Sequence, residues 1–167
     1  MAEEVSFRLA AAQDGQAVLN LLKTLQKESN TFLVDSDLTE LTPEMESQQI
    51  DLISRSKQNL LAVAEFDTDL VGIVTVDGTD QKTGELGVAV LKAFQGYTLG
   101  TNLVALALDW GATFSSLDEL TLTVFSDNAP AIHIYEKLGF EKLKSEQVND
   151  HDVIEMKLNL KQLKEEK

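Results

Sequence analysis

Several kinds of chemistry are excluded by what this chain lacks. It has no cysteine, which rules out disulfides, a thiol nucleophile and thiolate metal sites, and leaves the compartment open. It has only two histidines. His133 falls within a helical stretch and faces solvent, and His151 falls in a turn. Neither has a second histidine or a carboxylate at ligand spacing, so no metal is assigned. Positive charge is scarce: 14 lysines and arginines stand against 28 acidic residues, for a net charge of −14. Such a surface repels nucleic acid phosphates and anionic membranes, so neither is expected as a partner. It suits a cationic amine and also simply favours solubility. No apolar run spans a bilayer, the stretch 103–108 being among the longest. The N-terminal residues Met1-Ala2-Glu3-Glu4 are acidic where a secretory leader is basic, so a cytoplasmic protein is expected.

The remainder is ordinary for one folded domain. Hydrophobic residues make up 43% of the 167 and charged residues 25%. The domain is expected over residues 1–160, with a charged, frayed tail over 161–167. Residues 5–9 read as a strand. Asp14 is placed to cap a helix with the stripe Val18, Leu21, Leu22 and Leu25. Residues 28–41 lack periodicity and read as an acidic loop carrying Asp35, Asp37 and Glu40. A second helix starts at Thr42-Pro43 and runs to about Lys57, with Glu44 and Glu46 at its positive end. Residues 60–66 and 70–76 form a hairpin across Asp67-Thr68-Asp69, and a turn over 78–84 leads to a strand over 85–91. A helix follows with Leu103, Leu106, Ala107, Trp110 and Phe114 on one face. Residues 120–125 alternate as a strand, and 140–146 with 153–158 close a last hairpin across Asn149-Asp150. Antiparallel hairpins followed by strand–helix–strand–helix make an α+β sheet with helices on its faces.

Two segments carry more than structure. Residues 128–140 read Asn-Ala-Pro-Ala-Ile-His-Ile-Tyr-Glu-Lys-Leu-Gly-Phe. Asn128 caps a short helix, Pro130 sits in its first turn, and Gly139 supplies the left-handed residue that stops it. Ala131, Ile134 or Tyr135, and Leu138 form its buried stripe. The second segment, residues 86–101, joins a strand to a helix through Gln95-Gly96-Tyr97-Thr98-Leu99-Gly100-Thr101. A glycine-bearing strand–turn–helix junction presents backbone N–H groups at a positive helix end, which can seat a pyrophosphate. Glycines at such turns also serve geometry alone.

The spelling N-x-x-A-x-x-x-Y-E-K-L-G-F resembles the last signature of the GNAT superfamily of acetyl-CoA-dependent N-acetyltransferases. The loop resembles that family's Q/R-x-x-G-x-G/A pattern, with Gln95 first, Gly100 last, and Thr98 where the middle glycine is expected. Threonine disfavours positive φ, so the loop is expected either to re-route or to use the Thr98 hydroxyl as a donor.

The resemblance covers residues 5–158 and implies a mixed, mostly antiparallel sheet of six to seven strands with about four helices. The strands at 85–91 and 120–125 would run parallel and diverge. The main chain of Val88 and Val90 would hold pantetheine, residues Gln95, Gly96, Tyr97, Thr98, Gly100 and Thr101 would hold pyrophosphate, and Asn128 would touch the cofactor. Tyr135 would protonate the leaving thiolate, and Glu85 would serve as base for the amine. By the residues alone, Tyr135 reads as a ring packed on the helix stripe and Glu85 as a solvated strand-end carboxylate. Asp35 and Asp37 would help attract an ammonium group. The implied function is acetyl transfer from acetyl-CoA to a primary amine, small-molecule or peptide, by direct attack in a ternary complex, in a monomer or homodimer. A non-catalytic acyl-CoA-binding regulatory domain of the same fold is the alternative.

Overall fold

The computed structural model describes residues 5–28, 40–95, 98–148 and 150–165. Strand β1 (Val5–Leu9) leads through a 3-10 turn (Ala12–Asp14) into α1 (Gly15–Glu28). Helix α2 (Pro43–Ser54) precedes the strands β2 (Leu60–Phe66), β3 (Asp69–Gly78) and β4 (Thr83–Val90). A second 3-10 turn (Lys92–Phe94) precedes α3 (Leu99–Thr113), and β5 (Glu119–Phe125) leads to α4 (Ala129–Lys137). Strands β6 (Glu141–Val148) and β7 (His151–Asn159) and helix α5 (Leu160–Glu165) complete the chain.

The seven strands lie in the order β1-β2-β3-β4-β5-β7-β6. Every neighbouring pair is antiparallel except β4–β5. This is the expected mixed, mostly antiparallel sheet.

Strand alternation sends residues to two separate cores. Leu60, Ala62 and Ala64 of β2 join Val74, Leu86, Leu103, Leu122 and Met156 beneath α3, α4 and α5. Leu61 and Val63 turn the other way, onto Val18, Leu21, Leu25, Ile50 and Ile73 beneath α1 and α2. A bulge between Ala64 and Glu65 leaves Val71 without a cross-strand partner in β2. The Val71 carbonyl accepts the Leu91 N–H at 2.9 Å, just past the end of β4.

Local chemistry explains most element ends and corrects some expectations. The Thr42 hydroxyl caps α2 by accepting from the Met45 N–H at 3.1 Å, with Pro43 in the first turn. That helix stops at Ser54 rather than Lys57, because Arg55 and Ser56 turn back onto the carbonyls of Leu52 and Ile53. Asp14 lies inside the 3-10 turn instead of capping α1 from outside. Its carboxylate accepts from the Ala11 N–H and from both terminal nitrogens of Arg8, and that guanidinium holds it below the usual carboxylate range.

Strand β4 begins two residues earlier than expected. The Asp80 carboxylate accepts the N–H groups of Lys82 and Thr83, both at 2.8 Å, which tightens the turn. Phe114, placed on the buried stripe of α3 by its spacing, is 50% exposed. The helix ends at Thr113 and Phe114 leaves helical geometry (φ −122°), so the helical phase no longer applies.

The expected frayed tail is helical over Leu160–Glu165. Leu160 is fully buried, and the Lys164 ammonium donates to the carbonyls of Ser115 and Leu117 at 2.8 and 2.7 Å. Tertiary contacts therefore supply the order that a six-residue helix lacks alone.

Candidate active site

The site is a gap in the sheet. On one side β4 is registered with β3 at every position from Gly72↔Val90 to Gly78↔Gly84. On the other side it pairs with β5 only at Thr83↔Glu119, Gly84↔Leu120 and Glu85↔Thr121. Beyond Glu85 the two parallel strands diverge, as the resemblance implied. Gly84 allows the close approach at the root of this gap. A Cβ there would lie 2.6 Å from Val76 Cγ1 and 2.8 Å from Leu117 Cδ1.

Main-chain direction follows from the ladder. Leu91 donates to Val71 on β3, so alternation points the amides and carbonyls of Leu86, Val88 and Val90 the other way, into the gap. The Val90 carbonyl accepts from the Gln95 side-chain amide at 3.1 Å, which places Gln95 at the mouth of the gap. The side chains of Val88 and Val90 pack on the core beneath α3. A strand edge with free donors and acceptors can bind an extended amide-bearing arm as an added strand.

The gap ends at the N-terminus of α3. Thr98 adopts φ 62°, ψ 14°, the left-handed conformation. A β-branched residue thus occupies the backbone state that glycine adopts without cost. The Thr98 carbonyl accepts the Asn102 N–H at 3.1 Å, which starts the helix and leaves the N–H groups of its first turn without helical acceptors. Among the described residues, a Cβ added at Gly100 would meet nothing within 4 Å, so these leave the space over this helix end open. Thr101, half-buried, follows in the same turn. This open, amide-lined end fits a diphosphate. Gly96 and Tyr97 lie outside the described residues, as do Asp35 and Asp37.

Helix α4 closes the far side. The Asn128 side-chain oxygen caps it by accepting from the Ala131 N–H at 3.2 Å, which leaves the side-chain NH2 for other contacts. Gly139 ends the turn after it at φ 111°. Ile132, not singled out by the expected stripe, is the most buried residue of this helix. Tyr135 packs on the core beneath α3 and meets the Phe140 ring edge-on, with centroids 5.9 Å apart. No described residue hydrogen-bonds its hydroxyl. Burial raises the phenol above its ordinary value of 10.0, so it holds its proton at neutral pH.

Glu85 is exposed and stands at the last paired position, where the gap opens. Alternation puts its side chain on the sheet face of Gly87 and Ala89, and Ala89 packs on the core beneath α1 and α2. Glu85 and Tyr135 thus lie on opposite faces of the sheet. Directly across from Glu85 is Asp77 on β3, a neighbour the sequence reading missed. Counting back through the tight turn at Asp80 would have found it. Asp77 is exposed at its surface yet crowded by surrounding chain, and that desolvation pushes its carboxyl up. Among the described residues no group of three potential metal ligands gathers, and no helix is long and apolar enough to cross a membrane.

The sequence model of the acetyltransferase (GNAT) family matches residues 21–140. The chain is 36% identical over 80 residues to spermidine N(1)-acetyltransferase of Escherichia coli K12. It is 32% identical over 83 residues to the L-amino acid N-acetyltransferase AaaT of the same organism. Each alignment takes in 47% of this chain, and it spans 43% and 51% of those two enzymes. An acetyltransferase of the GNAT family from Streptococcus pneumoniae superposes with a TM-score of 0.85 at 24% identity, over 93% of this chain and 99% of that one. The spermidine N-acetyltransferase from Vibrio cholerae, solved with CoA and spermine, gives 0.72 at 20% identity, over 95% and 97%. These identities speak for the fold alone. A family match running from α1 through the α4 signature, on a sheet split between β4 and β5, makes this chain a member of the GNAT acetyltransferase family.

Proposed function

We propose that the protein transfers an acetyl group from acetyl-CoA to a primary amine by direct attack, both substrates being bound together. The observation that carries this reading is the divergence of β4 from β5 after Glu85, with the main chain of Val88 and Val90 facing the gap. An amide-bearing arm fits that edge, and its phosphates fit the open turn around Thr98, Gly100 and Thr101. Gln95 would close the mouth of the gap, and the Asn128 NH2, left over from the helix cap, would donate to the cofactor.

The residues then divide the proton traffic. The amine nitrogen attacks the thioester carbon, so that the amide C–N bond forms and the C–S bond breaks. Glu85 takes a proton from nitrogen on one face of the sheet, directly or through water. Tyr135 returns a proton to sulfur on the other, and its burial keeps that proton available. Amides of β4 polarise the thioester carbonyl. The paired carboxylates of Asp77 and Glu85 favour an acceptor that arrives as a cation. A polyamine such as spermidine, the substrate named for two of the relatives, has that character.

The test is thiol release from acetyl-CoA against an amine panel of spermidine, free amino acids and a peptide N-terminus. We expect release that depends on a primary amine and is fastest with the polyamine. Acetyl-CoA alone should stabilise the fold by about 2.7 kcal/mol at 100 times its Kd. No stabilisation and no release with any amine would refute the reading.

A further inference from the structure

Glu28 is the last residue of α1, the end of a helix where a negative charge is least welcome. Its carboxylate is nevertheless engaged by the chain. It accepts the main-chain N–H of Lys92 at 2.9 Å, across 64 residues of sequence. Lys92 opens the 3-10 turn that joins β4 to the Gln95–Thr101 loop, and its N–H points out of that turn because no carbonyl within it can accept. Two further N–H groups at this corner are used locally: Phe94 donates to Leu91 at 2.8 Å and Gln95 to Lys92 at 3.3 Å. Leu91, just before the turn, packs on the core beneath α1 and α2, and the carboxylate–amide bond adds a directional polar tie from the end of α1 to this corner.

We propose that Glu28 is a positioning residue for the acetyl-CoA loop: its carboxylate fixes the turn after β4 and so sets where the Thr98–Thr101 amides stand relative to the Val88–Val90 edge. The inference rests on the proposed reading of that loop as the diphosphate seat. A negative charge placed near an anion seat weakens that seat, so the charge itself is not what the site gains. What the site gains is the accepted hydrogen bond. Glutamine keeps an oxygen acceptor at the same reach, and alanine does not.

Kinetics separate the two roles. Glu28→Ala should raise the KM for acetyl-CoA roughly three- to tenfold, the worth of one ordinary hydrogen bond, while kcat at saturation stays within about twofold. Glu28→Gln should restore the wild-type KM. The bond can also be cut from its other end. Lys92→Pro removes the donor at the first position of the turn, where proline fits, and Leu91 before it is already extended (φ −57°, ψ 143°). Lys92→Ala keeps the N–H and controls for the lost ammonium. Lys92→Pro should match Glu28→Ala, and the double variant should be no worse than either single one. The proposal is overturned if Glu28→Ala binds acetyl-CoA like wild type, if Glu28→Gln falls as far as Glu28→Ala, or if the two lesions add in full. Should Glu28→Ala not fold, Lys92→Pro against Lys92→Ala decides alone. A wild-type protein that shows no response to acetyl-CoA would instead overturn the reading of the loop.

Discussion

The two edges of β4 differ more than any other pair of features in this molecule. One edge is zipped to β3 over its whole length, and the other is paired to β5 for three residues and then left open. Both edges belong to the same run of small and β-branched residues, so side-chain propensity is not what distinguishes them. The difference lies in what the neighbouring strand does. Strand β5 commits its far edge to β7 along its full length, from Glu119↔Asn159 to Phe125↔Val153, and veers away with it. A binding edge is thus made by withholding hydrogen bonds that the fold has the groups to form. Such groups are costly if they stay unpaired and dry, which is why the gap must face solvent or a ligand.

The largest effect expected at the open edge is chemical. Tyr135→Phe keeps the ring against Phe140 and deletes the hydroxyl, so acetyl-CoA affinity should hold while kcat falls by roughly 10²–10⁴. The drop should appear in kcat and kcat/KM alike. The same variant carries a pH signature. Burial raises the phenol, so its contribution to stability is present below pH 10.0 and is lost as pH rises through the folded value. Alkaline denaturation curves should show that loss in the wild type and not in Tyr135→Phe. Turnover close to normal would reduce Tyr135 to a packing residue.

Next comes the end of the gap. Gly100→Val should abolish most of the acetyl-CoA stabilisation, about 2.7 kcal/mol at 100 times Kd, yet leave the unliganded Tm nearly unchanged. Among the described residues none outside the helix's own backbone lies within 4 Å of the added Cβ, so a bound ligand is what the side chain is expected to obstruct. A thermal shift that survives the substitution would move the diphosphate elsewhere.

The closed root offers the converse. Gly84→Val drives a side chain into Val76 and Leu117, and urea melts should show a loss of about 1–3 kcal/mol. If the root is what aligns the two strands, the same variant should also bind acetyl-CoA more weakly. Destabilisation with undiminished binding would show that the open edge is organised without the root.

The smallest effect concerns Thr98, whose φ of 62° stores strain on the order of 1 kcal/mol. Thr98→Gly should therefore be as stable as wild type or slightly more so, and should bind acetyl-CoA at least as well. Markedly weaker binding would make the threonine hydroxyl itself a ligand.

The helix ends at Thr42, Asn128 and Gly139, and the hairpin across residues 67–69, were legible because each depends on a residue acting within a few positions of itself. So was the α4 signature that places Asn128 and Tyr135. Phe114 was misread for the same local reason: periodicity continued one residue past the point where the helix stopped. Helix α5 was missed because its order comes from Lys164 reaching carbonyls nearly fifty residues away. The Asp77–Glu85 pairing needed a register, and the register needed the tight turn at Asp80.

Sequence alone thus determined the class of fold, the family resemblance and the candidate acid and loop, because those follow from short-range spacing and spelling. Tertiary structure decided which edge of β4 stays open, which face each carboxylate occupies, and that Glu28 meets Lys92. Backbone hydrogen bonds between strands carry no side-chain spelling. The chain can write where a strand begins and ends, but which neighbour it declines to pair with is settled only when the whole sheet competes for the same amides.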